Sequence, residues 1–63
     1  MNFMSAINIP EILNTLLTAK EYRLPEHLTE QEIAVLVDLL KLNLKRSQPF
    51  ALLSRQDNIL FLL

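Results

Sequence analysis

The chain has 63 residues, a formal net charge of −1 at pH 7, one histidine, no cysteine and no glycine. Disulfide bonds are therefore excluded, and one histidine without cysteine argues against a zinc site of the usual kind. The nearly neutral charge gives no general attraction to nucleic acid or to anionic membranes.

Chain length limits how much apolar surface the protein can hide. A chain of this size buries only about 60% of the surface that its unfolded form exposes, yet 51% of the residues are hydrophobic. Small chains that lack disulfides and metals often gain stability by association. We therefore predict a single domain, residues 1–63, that forms a homo-oligomer, most simply a dimer.

The first predicted helix begins after Asn8, a good N-cap residue. Pro10 lies in the first turn, and Glu11 follows the cap by three residues. Pro25 restricts the residue before it and ends the helix, which gives a helix over 9–23. Its apolar residues recur at helical spacing and form one stripe, typical of a helix packed on a core: Ile9, Ile12, Leu13, Leu16 and Leu17.

The central helix has the clearest boundaries in the sequence. Thr29 and Glu32 form a capping box, in which each side chain bonds to the backbone N–H of the other residue. Lys45 and Arg46 place positive charge at the negative end of the helix dipole. These features predict a helix over 30–46.

The central helix carries two apolar stripes where one is usual. The first comprises Ile33, Leu36, Val37, Leu40 and Leu44, and the second comprises Val35, Leu39 and Leu42. The rest of the chain is too short to cover both stripes. We therefore predict that the first stripe packs inside the monomer and the second packs on another chain.

The last third of the chain allows two interpretations. Ser47 as N-cap and Pro49 in a first turn favour a third helix over 48–55. The alternative is a hairpin with strands at 50–54 and 59–63 and a loop at 55–58. Because glycine, which favours hairpin turns, is absent, we prefer the helix. The predicted fold is thus an all-α, three-helix domain with an apolar C-terminal segment, assembled as an oligomeric helical bundle.

The C-terminal segment, residues 59–63, consists of five consecutive apolar residues. It either packs back over the helices or docks on another subunit; a third interpretation is that the sequence is part of a longer chain. Together with the second stripe, it gives the predicted protein interface: Val35, Leu39, Leu42, Ile59, Leu60, Phe61, Leu62 and Leu63.

Chemistry-bearing motifs are scarce in this sequence. His27, near Glu26 and Glu30, is the strongest candidate for a metal ligand or for one member of an acid–base pair. A histidine beside a helix start is, however, more commonly a solvated residue without such a role. Without glycine there is no phosphate-binding loop. We predict no catalytic residue, no cofactor and no metal site, and hence no enzyme. The sequence also lacks a recognisable secretory signal or a membrane-spanning run, so we expect a cytoplasmic location.

Basic residues suggest an alternative function. Lys41, Lys45, Arg46 and Arg55 lie in a span, 41–56, that contains no Asp or Glu. The central helix, the break at Ser47 and the third helix have the outline of a helix–turn–helix, whose second helix reads the major groove. However, the third helix carries mainly apolar side chains and one basic residue. A membrane-surface role is weaker still, because basic and apolar residues are not segregated on one long helix.

The sequence therefore predicts a protein–protein interaction or assembly module that self-associates or caps a helical partner, such as an adaptor, an inhibitor or an assembly factor. The alternative is a dimeric helix–turn–helix protein that binds nucleic acid.

Overall fold

The computed structural model describes residues 7–63, which form two helices and one three-stranded antiparallel sheet. Helix α1 spans Ile9–Ala19 and helix α2 spans Glu30–Ser47. Strands β1, β2 and β3 span Glu21–Arg23, Leu53–Gln56 and Ile59–Leu62. The fold is α+β, so the prediction of an all-α three-helix bundle is wrong.

Helix α1 begins where the sequence predicts and ends earlier. The Glu11 N–H donates to Asn8 Oδ1 at 3.2 Å, which confirms the N-cap. At the other end, Lys20 takes a left-handed conformation with φ 67° and closes the helix. Its N–H still donates to the Leu16 carbonyl at 3.0 Å. The helix therefore stops at Ala19 instead of residue 23.

The residues that follow Lys20 join the sheet. The Leu62 N–H donates to the Lys20 carbonyl at 2.9 Å, and Tyr22 lies opposite Leu60 in the β1–β3 ladder. Residues 21–23, predicted as the last turn of α1, are thus an edge strand. The backbone groups of these residues find their partners in the C-terminal segment instead of in a further helical turn.

Helix α2 matches its prediction closely. The Glu32 N–H donates to Thr29 Oγ1 at 3.1 Å, and the Thr29 N–H donates to Glu32 Oε1 at 2.9 Å. The capping box is therefore present in full. Four residues of the first predicted stripe are buried: Ile33, Leu36, Leu40 and Leu44.

Strands β2 and β3 form a hairpin closed by a two-residue turn at Asp57 and Asn58. Gln56 pairs with Ile59 across the turn, and Asp57 has φ 54°. The predicted third helix, 48–55, is therefore wrong. A hairpin forms, as in the alternative interpretation, but its first strand lies at Leu53–Gln56 instead of 50–54 and its turn is shorter than 55–58. Aspartate tolerates the left-handed conformation better than most residues, so the turn forms without glycine.

Strand β3 lies in the centre of the sheet, between edge strands β1 and β2. Successive side chains of a strand point to opposite faces, and Leu60 and Leu62 are the buried pair in β3. They complete a core that draws on both helices, the residue after β1 and the central strand: Ile12, Leu16, Leu24, Ile33, Leu36, Leu40, Leu44, Leu60 and Leu62. Both helices therefore lie on one face of the sheet.

Candidate protein-binding surface

Large apolar side chains remain exposed mainly near the C-terminal half of α2. Leu42 is 52% exposed, Leu52 is 64% exposed, and Phe50, in the connection to β2, is 94% exposed. Leu63 is 79% exposed, and its N–H donates to the Leu52 carbonyl at 2.8 Å, which places these two residues side by side. Val35 lies two turns before Leu42 on α2 and is 44% exposed. The rest of the described chain does not cover these apolar side chains.

An open groove of about 630 Å³ lies between α2 and the segment that leads into β2. Its apolar lining includes the buried Leu44 and the partly buried Leu53 together with the exposed Leu42 and Leu52. We call it the α2 groove, and its lining is formed by Asp38, Lys41, Leu42, Leu44, Lys45, Pro49, Ala51, Leu52 and Leu53.

Three charged residues line the α2 groove from the helix side: Asp38, Lys41 and Lys45. All three are exposed, and within residues 7–63 none of them takes part in an ion pair. An apolar floor with a charged rim is typical of surfaces that bind another protein, since the floor supplies affinity and the rim supplies orientation.

The predicted second stripe of α2 is only partly exposed to solvent. Val35 and Leu42 are exposed, whereas Leu39 is partly buried. Asn43, which lies beside the stripe, donates from its side chain to the Leu39 carbonyl at 2.8 Å. Two of the three residues are therefore available to a partner, and Leu42 is the one that also lines the α2 groove.

The C-terminal segment does not lie on one surface. Leu60 and Leu62 are in the core, Ile59 and Phe61 are partly buried on the opposite face of the sheet, and Leu63 is exposed. The strand alternation splits the five residues between two faces. Of this segment, only Leu63 lies beside the exposed side chains around the α2 groove.

The basic residues of the nucleic-acid alternative also separate. Lys41 and Lys45 line the α2 groove and Arg46 is exposed at the end of α2. Arg55 instead makes two hydrogen bonds to the Glu30 carboxylate, at 2.7 and 2.9 Å. The helix expected to enter the major groove is a loop and a strand, so the helix–turn–helix prediction is wrong.

Local electrostatics follow from this pairing. The hydrogen bonds from Arg55, and then its charge, hold the pKa of Glu30 below its ordinary value. The hydrogen bond with Glu30 raises the pKa of Arg55 in turn. Elsewhere, partial burial and the nearby charge of Glu11 raise the pKa of Tyr22. None of these groups lines the α2 groove.

His27 is exposed in the link before α2. Residues 7–63 contain no group of three or more potential metal ligands, and no helix among them is both long and apolar enough to cross a bilayer.

The sequence interpretation did not include Phe50 and Leu52 in the predicted interface, because it placed both in a third helix, 48–55. The available signal was the run of Ser47, Gln48 and Pro49, which interrupts the pattern of α2. The Ala51 N–H donates to the Gln48 carbonyl at 3.0 Å and forms a turn there. This turn brings Leu52 beside the α2 groove and leaves Phe50 in solvent.

Comparisons with protein-family models, with curated proteins and with solved structures gave no significant match to this chain. A function can therefore be inferred only from the α2 groove and the exposed apolar side chains around it.

Proposed function

We propose that this protein functions by binding protein, and that it associates with a second copy of itself through the α2 groove and the exposed apolar side chains around it. The observation that carries the proposal is that Leu42 and Leu52 both line the α2 groove and are 52% and 64% exposed. Monomeric proteins seldom leave such side chains clustered in water.

Association gains free energy from the apolar surface area that it buries. Burial of apolar surface stabilises a complex by about 25 cal/mol per Å², and a standard interface covers about 800 Å² per partner. Association of two chains also costs several kcal/mol in lost translational and rotational freedom. The cluster supplies large side chains at the centre of such a patch and charges at its rim, the usual layout of an interface.

A binding role also fits what the chain offers chemically. The charged residues of the α2 groove, Asp38, Lys41 and Lys45, provide neither a nucleophile with an adjacent base nor a set of metal ligands. We therefore propose a structural or assembly role without catalysis. The cytoplasmic location stays a prediction.

Sedimentation velocity between about 1 and about 500 µM tests the proposal, since this range brackets micromolar affinity. We expect the wild type to shift from monomer to dimer, and Leu42→Asp to remain monomeric because it places a charge in an apolar contact. Asn14→Asp adds the same charge on the exposed side of α1 and should dimerise like the wild type. A wild type that stays monomeric throughout would refute the proposal.

A further inference from the structure

We infer that two copies meet with their α2 helices antiparallel, across a twofold axis that passes close to Lys41 and Leu42. This inference rests on the proposed self-association and specifies its geometry. The partner is a second copy of this chain, and the contact is the same surface on both copies, as in most homodimers.

The first observation is a row of exposed residues along α2. Val35, Asp38, Leu42 and Lys45 follow one another at alternating spacings of three and four residues. Residues at this spacing share one face of a helix, and all four are exposed. The row alternates apolar and charged residues, with the acid nearer the start of α2 and the base nearer its end.

Charge order along this row favours a second copy. A twofold axis reverses the direction of the partner helix, so Asp38 of one copy faces Lys45 of the other, and the same contact occurs twice. Parallel helices would instead bring like charges together. Neither Asp38 nor Lys45 has an ion-pair partner among residues 7–63, so both are available for this contact.

The position of the axis follows from the same row. Along α2, the midpoint between Asp38 and Lys45 falls between Lys41 and Leu42. An axis at this point brings Leu42 of each copy close to Leu42 of the other. Leu42 is 52% exposed and Val35 is 44% exposed, so the more exposed of the two apolar residues in the row lies at the centre of the contact.

This arrangement covers the α2 groove as well. The partner helix lies along the side of the groove that Leu42 exposes, so Leu42 and Leu52 leave water together. Lys41 comes close to Lys41 of the second copy, and the two positive charges repel each other. The long side chain limits this repulsion by extending its ammonium group into solvent. The two Asp38–Lys45 contacts offset this repulsion and fix the antiparallel direction.

A charge-reversal series tests the antiparallel contact. Asp38→Lys and Lys45→Asp each create two like-charge contacts, so we expect each single variant to raise the dimer dissociation constant at least about tenfold at low salt. The double variant, Asp38→Lys with Lys45→Asp, keeps the net charge of the wild type and restores both contacts, and its dissociation constant should return to within about threefold of the wild type. Circular dichroism of each variant checks that α2 is intact.

The position of the axis is tested by isotope-filtered NMR on a mixture of labelled and unlabelled chains. We expect intermolecular NOEs between the Leu42 methyl groups of the two copies. Single reversals without effect, a double variant as weak as the singles, or intermolecular NOEs between β2 strands instead would each overturn the inference and leave the self-association standing. A wild type that remains monomeric would refute the proposed function itself.

Discussion

At the scale of single residues, Arg55 shows how a pairing changes the role expected of a charge. The sequence suggested a contact with nucleic acid, because Arg55 lies in a basic span. The structure instead directs its guanidinium to Glu30, the first residue of α2, and its Nε–H to the Asp57 carbonyl at 2.8 Å. Arg55 therefore connects the hairpin to the start of α2. The Glu30 side chain is 81% exposed, and exposed pairs contribute little to stability.

The pairing of Glu30 predicts a dependence of stability on pH. Because hydrogen bonds from Arg55 lower the folded-state pKa of Glu30 below 4.5, this group stabilises the fold at pH values above its unfolded-state pKa. The stabilisation is lost as the pH falls through the lower, folded-state pKa. We expect Glu30→Gln to unfold at lower urea concentration than the wild type at about pH 7, and the difference to shrink at about pH 2.5.

The control for this measurement is Glu26→Gln. Glu26 is exposed in the link before α2 and makes no side-chain hydrogen bond within residues 7–63. Its replacement should leave the urea midpoint unchanged at both pH values. A wild-type advantage over Glu30→Gln that is equally large in acid would show that the carboxylate charge is not what stabilises the pair.

At the scale of helices and strands, two left-handed residues decide where the elements end. Lys20, φ 67°, stops α1, and Asp57, φ 54°, reverses the chain between β2 and β3. Both positions favour glycine, which carries no Cβ and adopts positive φ without a steric cost. Pro25 led the sequence interpretation to a longer α1, and the absence of glycine favoured a third helix, whereas the folded chain accepts the cost at both sites.

Lys20→Gly should therefore stabilise the protein. Removing the Cβ relieves a left-handed conformation that costs about 1 kcal/mol or more, and the greater freedom of glycine in the unfolded chain offsets part of this gain. We expect a net increase of about 0.5 kcal/mol in the free energy of unfolding, measured by urea titration.

Lys20→Ala separates backbone conformation from charge. Alanine removes the ammonium group and keeps the Cβ, so this variant should show no stabilisation. If alanine stabilised the protein as much as glycine, loss of the lysine charge would explain the result, and the strain argument would fail.

At the scale of the whole molecule, the sheet is covered by helices on one face only. Leu60, at the centre of β3, is 0% exposed and contributes to the same core as residues from α1 and α2. The opposite face carries the partly buried Ile59 and Phe61, flanked in the ladder by polar residues of β1 and β2. The core is therefore small, and single substitutions in it should be costly.

Leu60→Ala tests this dependence. Replacement of a buried leucine by alanine removes apolar contacts and leaves a cavity, at a cost of about 2–5 kcal/mol. Small domains have little more stability than that, so we expect most of the variant to be unfolded at room temperature by circular dichroism. Leu63→Ala is the matched control, because Leu63 is 79% exposed, and it should unfold close to the wild type. A fully folded Leu60→Ala protein would show that the core does not depend on β3.

The exposed apolar surface also depends on the fold of the whole molecule. Leu52 comes from the connection before β2, whereas Leu42 comes from α2, and the α2 groove exists only where the folded chain brings them together. The sequence indicated that α2 had more apolar surface than one small chain could cover. It did not indicate which residues would lie opposite Leu42, because their positions depend on the hairpin.

Sequence alone determined the start of both helices and the buried stripe of α2. The caps at Asn8 and Thr29 are hydrogen bonds between residues three apart, and a stripe is a property of helical spacing, so each can be inferred from a short window. Only tertiary structure decided that residues 21–23, 53–56 and 59–62 form strands. A strand is stable when its backbone groups find partners, and β3 pairs with residues 21–23, which lie on the far side of α2 in the sequence. The same pairing placed Leu60 and Leu62 in the core, while Leu42, Phe50 and Leu52 remain exposed.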